Sequence, residues 1–294
     1  MDSEKKYIEF SDNCAGAGYG NQLRAFIKAV ILADITKREL IVSNYWIKTL
    51  FNCPYDYHWD RNINRKNKII KKIYGNIPFE KSNFNEIKED IIEVGGGDLP
   101  VDIFLTNHNY NTNFIIRGIT SEKYKYFQAT YQKYLSFLNA DFISKSKKII
   151  DYDKEKYISI QFRTFHDAGR RNMFLLNDFI KNCINTFKKE NIDNLPVFIT
   201  TDDKNITNKI SEEIKKTFNT TIIKSPYNIG HSRNNKNMEI LCDWLINGKS
   251  QFIYTTGTTY SLTSSILFDT KCMIYGKKYK NVLVKDLNNI MGEF

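Results

Sequence analysis

Hydrophobic residues recur along the chain with spacings that alternate between those of strands and those of helices. Near the N-terminus, residues 6–10 have the pattern of a short strand, apolar side chains between residues 23 and 33 recur at helical spacing, and residues 40–42 are again extended. Three glycines, Gly16, Gly18 and Gly20, lie between the first strand and the helix. The chain therefore opens with a predicted strand, glycine loop, helix and strand.

From residue 157 the alternation becomes regular. The pattern predicts strands at residues 157–161, 196–200, 221–224, 252–254 and 271–275, with helices at 174–187, 206–218, 238–246 and 261–268. Such alternation indicates an α/β fold with a parallel sheet covered on both faces. Residues 141–156 are charged and have no strong apolar stripe, which predicts a boundary near residue 152 between domains 1–152 and 153–294.

The intervening segments are harder to interpret. Residues 45–59 are rich in Tyr and Trp, residues 61–72 form a basic run, and the acidic amphipathic stretch 84–94 is interpreted, with them, as irregular or helical. Residues 101–106 have the pattern of a strand. Residues 121–142 carry aromatic and Leu side chains at helical spacing, which is more typical of a packed core than of a cofactor site.

Composition limits the possible functions. The 294 residues carry a formal charge of +10, but Lys and Asn are spread along the whole chain, so the charge does not predict a nucleic-acid partner. The five cysteines are far apart and are interpreted as reduced. No apolar run reaches the roughly 18 residues of a membrane span. We therefore expect a cytoplasmic protein as the chain stands, or one of the Golgi or ER lumen if the chain is a trimmed form.

The glycine loop is suited to a nucleotide or a nucleotide sugar. Glycines allow close approach of the backbone, and the free N–H groups of the next helix favour an anion or a polar sugar. The alternative is a turn that only lets helix and strand pack together. A dinucleotide fingerprint would require glycine where Asn21 stands and an acid near residues 41–44, which contain none, so a nicotinamide or flavin enzyme is disfavoured.

Polar side chains follow the predicted strands of the second half, where ligands of open α/β sheets bind. Arg163 could clamp a phosphate, or could form a salt bridge with a nearby acid. The run Thr255–Thr259 leads into a helix and suits a phosphate, or is an ordinary helix cap. Asp243 lies in an apolar helix, where it needs a partner such as the N–H donors of guanine or an internal cap or ion pair.

Three motifs resemble those of the GDP-fucose-dependent fucosyltransferases, which include plant xyloglucan, α1,6 and protein O-fucosyltransferase types. Residues 18–23 (GYGNQL) are similar to the family's G-x-G-N-[QR] loop, and residues 160–165 (IQFRTF) are similar to its H-x-R motif in a Q-x-R form. The third block runs from residue 230 through Asp243 to Thr259, and it includes the family's interval of sixteen residues from the acid to the hydroxyl.

The resemblance implies a GT-B-like fold of two Rossmann-like domains facing a cleft, and an inverting transfer of fucose from GDP-fucose to a glycan or protein hydroxyl, without metal or cofactor. Arg163 would hold the β-phosphate and Asp243 the guanine edge, while Asn21 would face fucose and acceptor. Arg163 and Asn21 are the implied catalytic residues, and His166 and Asp167 could be a base and its orienter or a surface loop pair. The implied donor-binding residues are Gly18, Gly20, Gln22, Gln161, Asp243, Thr256, Thr258, Thr259 and Tyr260.

Two departures from the family pattern and three rival functions remain. Many members have His where Gln161 stands, and the α1,6 type has a second Arg where Thr164 stands, which argues against an α1,6 enzyme. The rivals are a transferase using another nucleotide sugar, a non-catalytic glycan-binding or RNA-binding protein, and a metal-dependent GT-A enzyme. The last is disfavoured because Asp151 and Asp153, its only D-x-D pattern, do not follow a predicted strand.

Overall fold

The structure is a computed structural model of the chain. It describes residues 6–10, 19, 20, 22, 23, 26, 29, 33, 37–42, 47, 70–73, 91–94, 138–164, 175–227, 239–276 and 281–283. The chain divides into two compact units, Met1–Asn139 and Ala140–Phe294. The boundary predicted near residue 152 thus falls inside the second unit.

The first unit contains a four-stranded sheet in which neighbouring strands are parallel. The strands are β1 (Tyr7–Phe10), β2 (Glu39–Val42), β3 (Ile70–Ile73) and β4 (Ile91–Val94), in the order β2-β1-β4-β3. Between β1 and β2 the described residues from Tyr19 to Ala33 are helical, and their buried apolar side chains are Tyr19, Leu23, Phe26, Ala29 and Ala33. The predicted strand, helix and strand at the N-terminus are confirmed.

The interpretation of residues 61–72 and 84–94 as irregular or helical is wrong where β3 and β4 form. Neither IKKI in β3 nor IIEV in β4 alternates with a period of two, so the hydrophobic pattern gives no strand signal. β4 pairs with β1 on one side and β3 on the other, so the hydrogen bonds of two neighbours stabilise it. The predictions for residues 45–59, apart from the helical Ile47, and for residues 101–106 and 121–137 lie outside the described residues.

The second unit alternates strands and helices as its sequence predicted. Its six-stranded sheet has the order β10-β9-β8-β5-β6-β7 and is parallel except for β10. The elements are α1 (Ala140–Lys147), β5 (Ile158–Phe162), α2 (Leu176–Lys189), β6 (Val197–Thr201), α3 (Lys204–Thr217), β7 (Ile222–Lys224), α4 (Glu239–Lys249), β8 (Phe252–Thr255), α5 (Thr259–Phe268), β9 (Lys271–Ile274) and β10 (Val282–Leu283).

Helix α1 explains why the unit begins before residue 152. It buries Phe142 and Ser146 and contacts α4, and the chain after it buries Ile150. Only a few side chains anchor this charged helix, so its apolar stripe is too sparse to appear in the hydrophobic pattern.

The core lies on both faces of β5, whose five residues are all buried. One face, with Ile158, Ile160 and Phe162, packs against apolar side chains of α2 and α3. On the other face Tyr157, which directly precedes β5, packs with Phe198 of β6, Ile246 of α4 and Ile150, which follows α1. Each large apolar side chain buried in this way stabilises the fold by about 1.5–3 kcal/mol relative to exposure.

Helices α4 and α5 approach closely at Gly248. A Cβ atom there would lie 2.1 Å from Cδ2 of Phe268 and 2.7 Å from Oγ of Ser264. Ser264 Oγ also donates to the Trp244 carbonyl at 2.7 Å, which ties the two helices together. The glycine therefore sets the spacing of the helix that carries Asp243 from the helix that follows the threonine turn.

We predict that Gly248→Ala destabilises the protein. Alanine improves helix propensity by about 1 kcal/mol, but its Cβ forces Phe268 or Ser264 to move at a cost of about 1–3 kcal/mol. The measurement is the urea midpoint of unfolding. Gly276→Ala is the matched control, because the nearest atom to a Cβ there is the Thr256 carbonyl oxygen at 3.7 Å. Equal midpoints for the two variants would contradict the prediction.

Candidate active site

The carboxyl end of β5 lies between those of β8 and β6. In the strand register Gln161 is opposite Thr255 of β8 and Thr200 of β6. Beyond the strands, the Arg163 amide donates to Thr256 Oγ1 at 3.1 Å, and the Thr256 amide donates to the Gln161 carbonyl at 3.2 Å. Sheet pairing thus brings the predicted arginine and the predicted threonine turn together.

Arg163 is held by Asp202, the residue that follows β6. Its Nε lies 3.3 Å from Asp202 Oδ2, and the carboxylate also accepts from the Thr164 amide and hydroxyl, each at 2.8 Å. The Asp202 side chain is 1% exposed and that of Arg163 is 18% exposed. The salt bridge considered as an alternative is therefore present, and it orients the guanidinium while part of the Arg163 side chain is exposed. No role was predicted for Asp202. Its position directly after a strand, where polar residues of the site were expected, is the feature that could have identified it.

Gln161 forms hydrogen bonds with the threonine turn, residues 255–259. Its Oε1 accepts from Thr255 Oγ1 at 2.7 Å and from Thr258 Oγ1 at 3.2 Å, and all three residues are buried. Thr255 also shares a hydrogen bond of 2.8 Å with Ser261 Oγ in the first turn of α5. Because two donors converge on Oε1, the side chain of Gln161 has a defined orientation.

The turn ends in the N-terminus of α5. Thr258 is the N-cap, and its side chain accepts from the Ser261 amide. Gly257 has φ of 79°, and a Cβ there would lie 2.7 Å from Ile274 Cγ2, so glycine is needed both for conformation and for space. The helix-cap alternative is thus correct, and a capped N-terminus still presents the partial positive charge of the helix.

Asp243 lies on α4 and is 4% exposed. Ser225 Oγ donates to its Oδ2 at 2.6 Å, whereas the buried Oδ1 has no hydrogen-bond partner among the residues that the structure describes. Burial, with a smaller contribution from Glu239, raises the pKa of Asp243 to about 8, although the Ser225 hydrogen bond opposes the shift. Among the described residues Asp243 forms no ion pair; its internal partner is the Ser225 hydroxyl, and Oδ1 is left without a donor there.

The other predicted site residues are only partly described. Gly20 and Gln22 are helical and buried in the first unit. The Tyr260 hydroxyl donates to the Ile240 carbonyl at 2.5 Å and so joins α5 to α4. Gly18, Asn21, His166, Asp167 and the side chain of Thr259 lie outside the described residues, so their roles stay predictions.

The D-x-D pattern does not form a metal site. Asp151 pairs with Lys154 at 2.9 Å, and Asp153 pairs with Lys147. Across the described ranges, no group of three or more His, Cys, Asp or Glu side chains could hold a metal ion. Among those same residues, no helix is long and apolar enough to cross a membrane.

Comparison with known proteins finds the fold among fucosyltransferases. No protein-family model and no curated protein sequence matches the chain. Among solved structures, an Arg-to-Lys variant of Arabidopsis thaliana FUT1 in complex with GDP has a TM-score of 0.61 and 13% identity, over 95% of this chain and 72% of that chain. NodZ α1,6-fucosyltransferase soaked with GDP-fucose has a TM-score of 0.61 and 11% identity, over 95% and 98%.

A third similar structure, POFUT1 in complex with GDP-fucose, has a TM-score of 0.55 and 10% identity, over 96% of this chain and 98% of that chain. These likenesses establish the fold and confirm the predicted GT-B-like α/β class. The resemblance seen in three short motifs therefore extends to the whole fold.

We predict that Asp243 makes the free protein less stable as pH rises. Its pKa is about 8 in the folded chain, whereas the ordinary value for an aspartate is 3.8. Between these two pH values the folded chain therefore binds more protons than the unfolded chain. The free energy of unfolding then falls by about 1.4 kcal/mol per pH unit within that window. Asp243→Asn should remove this slope in thermal midpoints measured from pH 5 to 8.

The matched control for this prediction is Asp269→Asn. Asp269 is exposed and has φ of 54°, a conformation that Asn tolerates. It should leave the pH dependence of the midpoint as in the unaltered protein. A slope that persists in Asp243→Asn would show that Asp243 titrates normally.

Proposed function

We propose that the protein is a GDP-fucose-dependent fucosyltransferase. The observation that supports this most strongly is Arg163, fixed by Asp202 at the tip of β5 and bonded to the threonine turn, within a fold shared with fucosyltransferases that bind GDP. A guanidinium, hydroxyl groups and a helix N-terminus form a combination suited to a diphosphate.

The proposed chemistry is a metal-independent, inverting displacement. As the bond between fucose and GDP breaks, negative charge develops on the departing diphosphate. Arg163 and the N-terminus of α5 would stabilise that charge, and the Asp202 pair would hold the guanidinium in place without reorganisation. Thr256, Thr258 and Thr259 would add hydroxyl or backbone donors, so positive charge from a metal ion is not needed.

Asp243 would recognise the base of the donor. Guanine presents N1–H and N2–H₂ on one edge, and an ionised carboxylate accepts from both. The unpartnered Oδ1 of Asp243 supports this role because a buried acceptor without a hydrogen bond costs about 1–3 kcal/mol until a donor reaches it.

The N-terminal loop would provide the side that meets fucose and acceptor. Gly18 and Gly20 would allow close approach, and Asn21, with Gly20 and Gln22, would face the fucose and the acceptor. The acceptor would be the hydroxyl of a glycan or a protein. His166 or Asp167 would be the base if the reaction uses one.

We predict that Arg163→Ala reduces both GDP affinity and turnover of GDP-fucose. Loss of a hydrogen bond to a charged group should weaken GDP binding by about 10- to 100-fold. Loss of a transition-state contact should lower turnover by a further factor of about 100. Calorimetry with GDP and release of fucose from GDP-fucose, both with a chelator present, measure the two effects.

Two further variants control this experiment. Lys181→Ala removes the same charge from an exposed position on α2 and should change neither quantity. Arg163→Lys keeps the charge but loses the planar group that pairs with Asp202, so it should bind GDP weakly. Turnover that is retained in Arg163→Ala, or that is greater with another nucleotide sugar, would contradict the proposal.

A further inference from the structure

Ser225 holds Asp243 through a hydroxyl whose own orientation is fixed. The Ser225 amide donates to the Ile199 carbonyl at 3.1 Å, which extends the pairing of β7 with β6 by one residue. Its Oγ accepts from the Tyr227 amide at 3.2 Å and donates to Asp243 Oδ2 at 2.6 Å. Because the Tyr227 amide occupies an acceptor position of the oxygen, the hydroxyl hydrogen is directed at the carboxylate.

The carboxylate is consequently asymmetric. Oδ2 has a protein donor, whereas Oδ1 is buried and has none. Native proteins leave few buried polar atoms without a partner, and those that remain need an explanation. A ligand donor at Oδ1 supplies one, and Ser225 determines which oxygen is left for it.

We propose that Ser225 is a positioning residue for recognition of the nucleobase, because it orients Asp243 with Oδ1 available to a ring N–H. The inference rests on the proposed function, in which Asp243 binds the base of the donor. It assigns Ser225 a role in base recognition without contact between Ser225 and the ligand.

Several groups around Asp243 act on its ionisation together with the hydrogen bond. Glu239 on the same helix disfavours the charged form, and Ser225 favours it. Tyr227, which lies beyond β7, and Cys242 form a hydrogen bond with each other beside Asp243. The charge of Lys145 in α1 favours the ionised form of Cys242. With its pKa raised to about 8, mainly by burial, Asp243 is mostly protonated at neutral pH before a ligand binds. Binding of a base that donates two N–H groups then requires loss of that proton.

The test is GDP affinity of the full chain by calorimetry from pH 6 to 9, for the unaltered protein, Ser225→Ala and Ser225→Thr. In the unaltered protein the affinity should rise about tenfold per pH unit and level off near the pKa of about 8. Ser225→Ala removes the hydrogen bond that favours the ionised carboxylate, so this break should move upward by about one pH unit. One such unit corresponds to 1.36 kcal/mol. Its affinity is then about tenfold weaker at pH 7 and within about twofold at pH 9. Ser225→Thr retains the hydroxyl and should restore the original profile.

A purely structural role would weaken binding by the same factor at every pH, so parallel profiles for Ser225→Ala and the unaltered protein would overturn the inference. A flat profile in the unaltered protein would also overturn it, and that result does not depend on how any variant folds. If GDP fails to bind the unaltered protein at any pH, the proposed function itself fails. Binding of GDP with no pH-dependent effect of Ser225 refutes the positioning role alone.

Discussion

The pairing of β5 with β8 on one side and β6 on the other is the constraint on which the candidate site depends. These strands are far apart in sequence, yet their register sets Gln161 opposite Thr255 and Thr200. The carboxyl ends of parallel strands lie at the same edge of a sheet, so the residues that follow neighbouring strands lie close together. Arg163 and Asp202 meet there because β5 and β6 are neighbours.

Buried acceptors then convert this topology into a defined geometry. Asp202 accepts from Thr164 and pairs with Arg163, and Gln161 accepts from two threonines of the turn before α5. In a low-dielectric interior such hydrogen bonds strengthen one another, and each orients a side chain or loop that faces the ligand region. Asp243 differs because its second oxygen has no hydrogen-bond partner among the described residues, and a buried acceptor of this kind needs an explanation.

The sequence predicted most of the second unit because strands with buried apolar side chains alternate with amphipathic helices, as β5 and α2 illustrate. It missed β3 and β4, whose short runs IKKI and IIEV owe their conformation to strand pairing rather than to periodicity. The motif residues Arg163 and Asp243 could be identified by residue type and position. Their partners could not, because Asp202 meets Arg163, and Ser225 meets Asp243, only through tertiary packing.

The identity of the nucleotide that the second unit binds is the most direct test of the proposed function. Calorimetric titration of the full chain at pH 8.5 with GDP, UDP and CDP, each with a chelator present, measures this. The account predicts saturable binding of GDP and affinities at least about tenfold weaker for UDP and CDP, since neither pyrimidine offers Asp243 the paired N–H donors of guanine. Equal affinity for the three nucleotides, or no binding of GDP, would contradict it.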